Sequence, residues 1–269
     1  MLTKLLKYEF KATGRAFLPL YGALLALALV NNLLLRLDGA RFMQTHELSR
    51  ISAAVGVMAY VLLIMAIFVL TLVVMIQRFY KNLLSEEGYL MFTLPVRTWQ
   101  LLTSKLIVSM VWILLSCAVT LLSIFLMALG HGFSLGDLAR AWEIFCREVF
   151  WRLDLNVLSI LLQAFLTGLV VLAEFILGIY ASIAVGQLFP KHRYLAAFGA
   201  FLGFGVIDQI LTLLLLTGGG LFVELTGLSI SYMRFFNALF GLSTLYSLVW
   251  AAGYFLLTNY ILSRRLNLE

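Results

Sequence analysis

The sequence predicts an all-α membrane protein with six transmembrane helices, and three observations carry that expectation. Of 269 residues, 63% are hydrophobic and only 12% charged, with a mean hydropathy of +1.02; a soluble domain carries about 25% charged residues. The apolar residues gather into runs long enough to cross a hydrocarbon core of about 30 Å as helices. The charges between those runs are sorted by side. Alternating strands of about 10 residues, the mark of a membrane β-barrel, are not visible.

The chain opens with residues 1–15, which read as an amphipathic surface helix. At 100° per residue Lys4, Lys7, Lys11 and Arg15 share one side, opposite Leu2, Leu5, Leu6 and Phe10. A basic face of this kind suits anionic lipid headgroups. Glu9 falls on the apolar side, either snorkelling or paired with another inner segment.

Six spans are expected at Phe17–Leu35, Ile51–Ile76, Leu106–Leu129, Leu155–Phe189, Tyr194–Thr217 and Phe240–Leu262. Pro19 would sit in the first turn of the first, where its missing N–H costs little. That span exceeds a usual signal-peptide core and no small-residue cleavage site follows, so it is expected to be retained. The fourth run, from Leu155 to Phe189, would reach about 50 Å as a helix and must tilt, bend or project.

Orientation follows from basic bias. With the N-terminus inside, every lysine (Lys4, Lys7, Lys11, Lys81, Lys105 and Lys191) is cytoplasmic. The inner segments then carry +8, the outer segments balance and the spans hold −2, which accounts for the net +6. Both termini are expected in the cytoplasm of a cell-membrane protein, and the excess positive charge needs no nucleic-acid partner.

Two outer segments have their own patterns. In residues 134–153, Ser134 and Asp137 fit a capping box, and Leu135, Leu138, Trp142, Phe145, Val149 and Leu153 recur at helical spacing. Glu143–Arg147 and Glu148–Arg152 are i,i+4 pairs, so an amphipathic helix on the outer face is expected. Residues 218–240 begin with three glycines and are interrupted by Glu224, Gly227 and Arg234. Two short helices dipping into the outer leaflet fit them better than a full span. One membrane domain covers 1–269.

Enzyme signatures are absent from the sequence. There is no GxxxxGK[ST] phosphate loop, no HExxH spacing among His46, His131 and His192, and no GxSxG elbow. Catalytic, cofactor and metal sites are therefore not expected on this chain. Cys117 and Cys146 lack CxxC partners and read as packing residues.

Two acids, Glu174 and Asp208, lie inside spans, where carboxylates are costly and usually face a bundle interior or a wet cavity. The turn at Pro190–Arg193 is short, so their helices are antiparallel neighbours and both acids lie about 20 Å from that turn. If they share a face, they cannot both stay charged without a cation or proton between them. A transport path or subunit seam is one reading. A structural carboxylate bonded to Ser, Thr, Gln or backbone, for example Gln209 or Gln163 nearby, is the other.

The longest inner interruption is QRFYKNLLSEEGYLMFTLPVRTWQLLTSK, from Gln77 to Lys105. Ser85 is a good N-cap, and Glu86 and Glu87 complement the helix dipole in the first turn. Pro95 ends the element after Leu94. A short helix over about Glu86–Thr93 would present Tyr89, Leu90, Met91 and Phe92, either to another protein or to lipid headgroups.

At this point the sequence resembles a family. Glu87, Gly88, Thr93, Leu94, Pro95, Val96, Ser104 and Lys105 match the recurring E-x-G…T-L-P-V…S-K pattern of ABC-2-type transporter permeases, and Lys7–Lys11 (KYEFK) is similar to the start of many bacterial members. The resemblance implies an exporter fold in which residues 1–15 are the elbow helix with Lys4, Lys7, Glu9 and Lys11, and residues 218–240 are re-entrant outer helices. It implies that residues 78–105 hold a coupling helix, with Glu86, Glu87, Gly88, Tyr89, Phe92, Thr93 and Pro95 docking on a separate ABC ATPase subunit that binds ATP and Mg. A second permease copy, identical or not, would complete the membrane part. A competing expectation is an ion-gradient-driven transporter or channel working through Glu174 and Asp208. A third is a membrane assembly or immunity factor.

Overall fold

The computed structural model describes residues 2–39, 47–84, 97–129, 135–147, 155–189, 191–226 and 232–264. The described residues form α1 (Leu2–Gly39), α2 (Glu47–Leu83), α3 (Thr98–Ala128), α4 (Leu135–Cys146), α5 (Leu155–Gly186), α6 (Arg193–Thr226) and α7 (Tyr232–Arg264), with no strand among them. Six stretches are long and apolar enough to cross a membrane: Thr3–Leu33, Ala54–Lys81, Thr98–Ala128, Leu158–Gly186, Arg193–Gly218 and Asn237–Arg264. Each overlaps one expected span.

The boundaries differ in instructive ways. Residues 1–15 and the first span were expected as two elements, yet α1 runs unbroken through both, with Pro19 inside it rather than at its start. Lys4, Lys7, Lys11 and Arg15 are exposed and Glu9 is buried at 8% exposure. The change from basic to apolar residues at Arg15 alters the surface of the helix but gives the backbone no reason to stop.

The glycine triplet behaves similarly. Gly218–Gly220 were expected to break the chain into short outer helices, but α6 continues through them to Thr226 and α7 begins at Tyr232. Three glycines cost about 1 kcal/mol each in a helix. Leaving their backbone groups unpaired in apolar surroundings costs more. The helix α4 covers Leu135–Cys146 of the 134–153 expected to be helical, and residues 134 and 148–153 lie outside the described residues. Its first-turn Asp137 meets Arg140 at 3.8 Å, and Trp142 and Ile144 are exposed.

The chain divides into two compact units: Met1–Gln77 with Ile107–Arg152, and Arg78–Leu106 with Leu153–Glu269. In the first, one face of α1 (Phe17, Tyr21, Leu24, Ala28) packs with Tyr60 and Ile67 of α2 and with Val108 and Trp112 of α3. Phe17 and Trp112 stack at 4.5 Å, and Gly14 leaves room for the indole edge, which would lie 3.6 Å from any added Cβ. Neutral hydrogen bonds bolt the same helices together. Trp112 Nε1 donates to Thr13 Oγ1 at 2.7 Å, while Thr13 donates to the Glu9 carbonyl at 2.8 Å. Tyr21 pairs with Ser116 at 2.7 Å and Tyr60 with Ser123 at 2.8 Å. Asn32 Nδ2 donates to the Leu126 carbonyl at 2.6 Å. Helices in lipid gain no hydrophobic force from meeting each other, so tight packing and such bonds hold them.

In the second unit α5 packs against both α6 and α7. Thr167 of α5 bonds Thr244 of α7 at 2.6 Å. At the other end Gly186 lets α5 approach the start of α6 closely, since a Cβ there would stand 2.6 Å from Ala197 Cβ and 2.7 Å from the Arg193 carbonyl oxygen. The turn that follows is closed by short-range bonds such as Leu188 N–H to Val185 O at 3.0 Å.

Candidate functional site

The two intramembrane acids come together. Glu174 of α5 and Asp208 of α6 line one cavity of about 240 Å³, with Gly178 and Gly205 lending backbone surface. Phe175 of α5, Phe201 and Phe204 of α6 and Tyr254 of α7 form its aromatic wall, and Val171 completes it. The geometry follows from the short connection between Gly186 and Arg193, which makes α5 and α6 antiparallel and places both acids at similar depth. Their shared face is what the packing adds.

The helix α7 supplies the partners. Tyr246 Oη donates to Asp208 Oδ1 at 2.7 Å, and Ser247 hydrogen-bonds the Glu174 carboxylate. The side chains of Tyr246, Trp250 and Tyr254 recur every fourth residue along α7, with Trp250 and Tyr254 stacked at 5.2 Å. Phe204 of α6 meets the Tyr254 ring at 5.2 Å. Tyr254 is buried because its ring lies against α5 at Gly178, where an added Cβ would touch Cε2 at 3.4 Å. The chain thus presents two carboxylates, each already accepting one O–H, in a cavity that aromatic side chains line.

Gln163 and Gln209 were candidate partners for the acids, and neither fills that role here. Gln163 Nε2 donates to the Asn237 carbonyl at 3.3 Å, and Gln209 is exposed. Tyr246, Ser247, Trp250 and Tyr254 are the residues that sequence reasoning passed over. The i, i+4, i+8 aromatic spacing on the last span was the available signal.

The residues proposed to meet an ATPase, Glu86, Glu87, Gly88, Tyr89, Phe92, Thr93 and Pro95, lie outside the described residues, as does Ser85. The segments on either side of them are firmly packed within the second unit. Leu83 and Leu84 where the chain enters, and Leu101 and Leu102 where it returns, are all buried. Phe79 stacks on Tyr180 of α5 at 4.1 Å with ring planes 7° apart. Tyr180 Oη reaches the Lys105 carbonyl at 3.5 Å, and Thr98 Oγ1 donates to Asn259 Oδ1 of α7 at 2.8 Å.

Among the described residues, no group of three or more His, Cys, Asp or Glu side chains is placed to hold a metal ion. Comparison with protein-family models, curated proteins and solved structures finds no match.

Proposed function

We propose that this chain is the membrane-spanning permease subunit of an ATP-driven transporter of the ABC-2 type, exporting a peptide, drug or lipid-like substrate. The observation that carries this reading is the pattern E-x-G…T-L-P-V…S-K between Glu87 and Lys105, which runs from the connection after α2 into the start of α3. Six apolar helices support it, and a chain without a phosphate loop would take ATP-driven work from a separate subunit. The buried flanks of the loop also suit it. A push on residues 86–93 is useful only if their mount is stiff, and Phe79, Leu83, Leu101 and Leu102 provide one.

In this mechanism the loop helix docks on an ATPase. Closure of the ATPase pair on ATP moves the helix, and two permease copies rock to open a path outward. Glu86, Glu87, Tyr89 and Phe92 make the contact, Glu9 braces the inner face, and both termini lie in the cytoplasm. Purification from native membranes in mild detergent tests the reading directly. An ATPase of about 25–35 kDa, the size of a one- or two-domain soluble subunit, should co-elute with Mg-dependent ATP hydrolysis. Replacing Tyr89 and Phe92 by Ala should abolish co-elution or uncouple hydrolysis from transport. Normal coupling in that variant would remove the docking assignment.

The meeting of Glu174 and Asp208 in one cavity keeps a second reading open, a transporter or channel driven by an ion gradient. Proton-coupled flux from the chain purified without any ATPase would favour it. Transport at the wild-type rate by Glu174→Gln with Asp208→Asn would exclude it.

A further inference from the structure

We infer that the cavity between α5, α6 and α7 is a binding site for the head group of an organic cation, an amine or quaternary ammonium carried on an apolar body. Glu174 and Asp208 set the sign of the charge, since among the described residues no Lys, Arg or His lines the cavity to balance them. Intramembrane carboxylates face partners or pathways rather than lipid. Their protein partners here, Ser247 and Tyr246, are neutral hydroxyls that orient the carboxylates without neutralising them.

The walls choose among cations. A hard metal ion seeks about six or more oxygens, and this cavity offers two carboxylates facing Phe175, Phe201, Phe204 and Tyr254. Ring faces attract ammonium groups through their quadrupoles and gain when water is excluded. The tilted Phe204–Tyr254 pair, with ring centroids 5.2 Å apart, gives one side of such a cage a fixed form.

Size sets the form of the ligand. At about 240 Å³ the cavity is smaller than the roughly 300–1,000 Å³ that encloses a drug-sized molecule. It therefore takes the head group and leaves the remainder outside. Phe175 and Phe201 are each about half-exposed at the rim, so an apolar body can lie along α5 and α6 while its charge sits between the acids. The assignment does not depend on the ATP-driven reading, because it concerns equilibrium binding to this chain alone.

The test is direct binding of tritiated benzyltrimethylammonium to the full chain in zwitterionic lipid nanodiscs, with empty nanodiscs as background. Saturable binding is expected, with displacement by unlabelled probe but not by equal concentrations of sodium or of neopentylbenzene, the neutral isostere. Glu174→Gln with Asp208→Asn should weaken binding by about tenfold or more, and Tyr254→Leu by about three- to tenfold. Monodisperse elution and an unchanged helical spectrum establish that each variant is folded, and the displacement series on the wild type needs no variant at all. Three results would overturn the assignment: no saturable binding, equal displacement by sodium or by the neutral isostere, or wild-type affinity in the folded double variant. ATP and ATPase are absent from the assay, so its outcome leaves the subunit reading untouched, and failure of ATPase co-elution leaves this one untouched.

Discussion

Both units bury polar side chains inside helices apolar enough to cross a membrane, but they spend them differently. In the unit of Met1–Gln77 and Ile107–Arg152, Thr13, Tyr21, Tyr60, Ser116 and Ser123 pair with one another or with Trp112, and each bond is neutral and complete. In the unit of Arg78–Leu106 and Leu153–Glu269, Glu174 and Asp208 accept hydroxyls yet keep a cavity in front of them. The difference teaches how to separate adhesive from function in a membrane interior. Polar groups that satisfy each other hold helices together; charges left facing a space await something that is not part of the chain.

Substitutions can sharpen or break that contrast, read as the midpoint of unfolding in a denaturing-detergent titration. The largest effect is expected from Trp112→Ala, which removes the stack on Phe17 and the bond to Thr13 together. Loss of a packed aromatic of this kind costs about 3–5 kcal/mol, and a loss under 1 kcal/mol would show that the first unit is not held at this point. Gly186→Ala comes next, since its Cβ would collide with the Ala197 Cβ and the Arg193 carbonyl. Overpacking should cost about 1–3 kcal/mol, and a neutral result would mean that α5 and α6 can part at their turn without penalty. Ser116→Ala should be milder, at about 0.6 kcal/mol and at most about 2, as for other hydrogen bonds between membrane helices. It loosens both Tyr21 and Thr71, which lie 2.7 Å and 3.2 Å from the Ser116 hydroxyl.

The smallest effect on stability is expected where the effect on binding is greatest. Glu174→Gln with Asp208→Asn keeps acceptors for Ser247 and Tyr246 while removing whatever charge the pair of acids carries in an apolar setting. The midpoint should stay within about 0.5 kcal/mol of the wild type or rise. A fall as large as that of Trp112→Ala would make the carboxylates structural and erase the contrast between the units.

Much of this was legible in the sequence. Six apolar runs, their order, and the shared depth of Glu174 and Asp208 follow from hydropathy and one short turn. Element ends were less legible. Arg15 and Gly218–Gly220 look like boundaries by charge and by propensity, but a backbone in apolar surroundings keeps its helical bonds across both. A serine was among the partner types expected for the acids, but nearness in sequence suggested Gln163 and Gln209 as the residues, while α7 brings Ser247 and Tyr246 to the site from far along the chain.

What the sequence determined by itself is therefore a set of depths: which residues lie inside the membrane and how far from the inner turn. What only the tertiary structure decided is rotation. The helix α6 is apolar around most of its circumference, so no periodicity tells which way Asp208 points. The contact of α5 with α6, and the bond from Tyr246 of α7 to Asp208, settle that question by packing. They turn two half-buried acids into one aromatic-walled cavity.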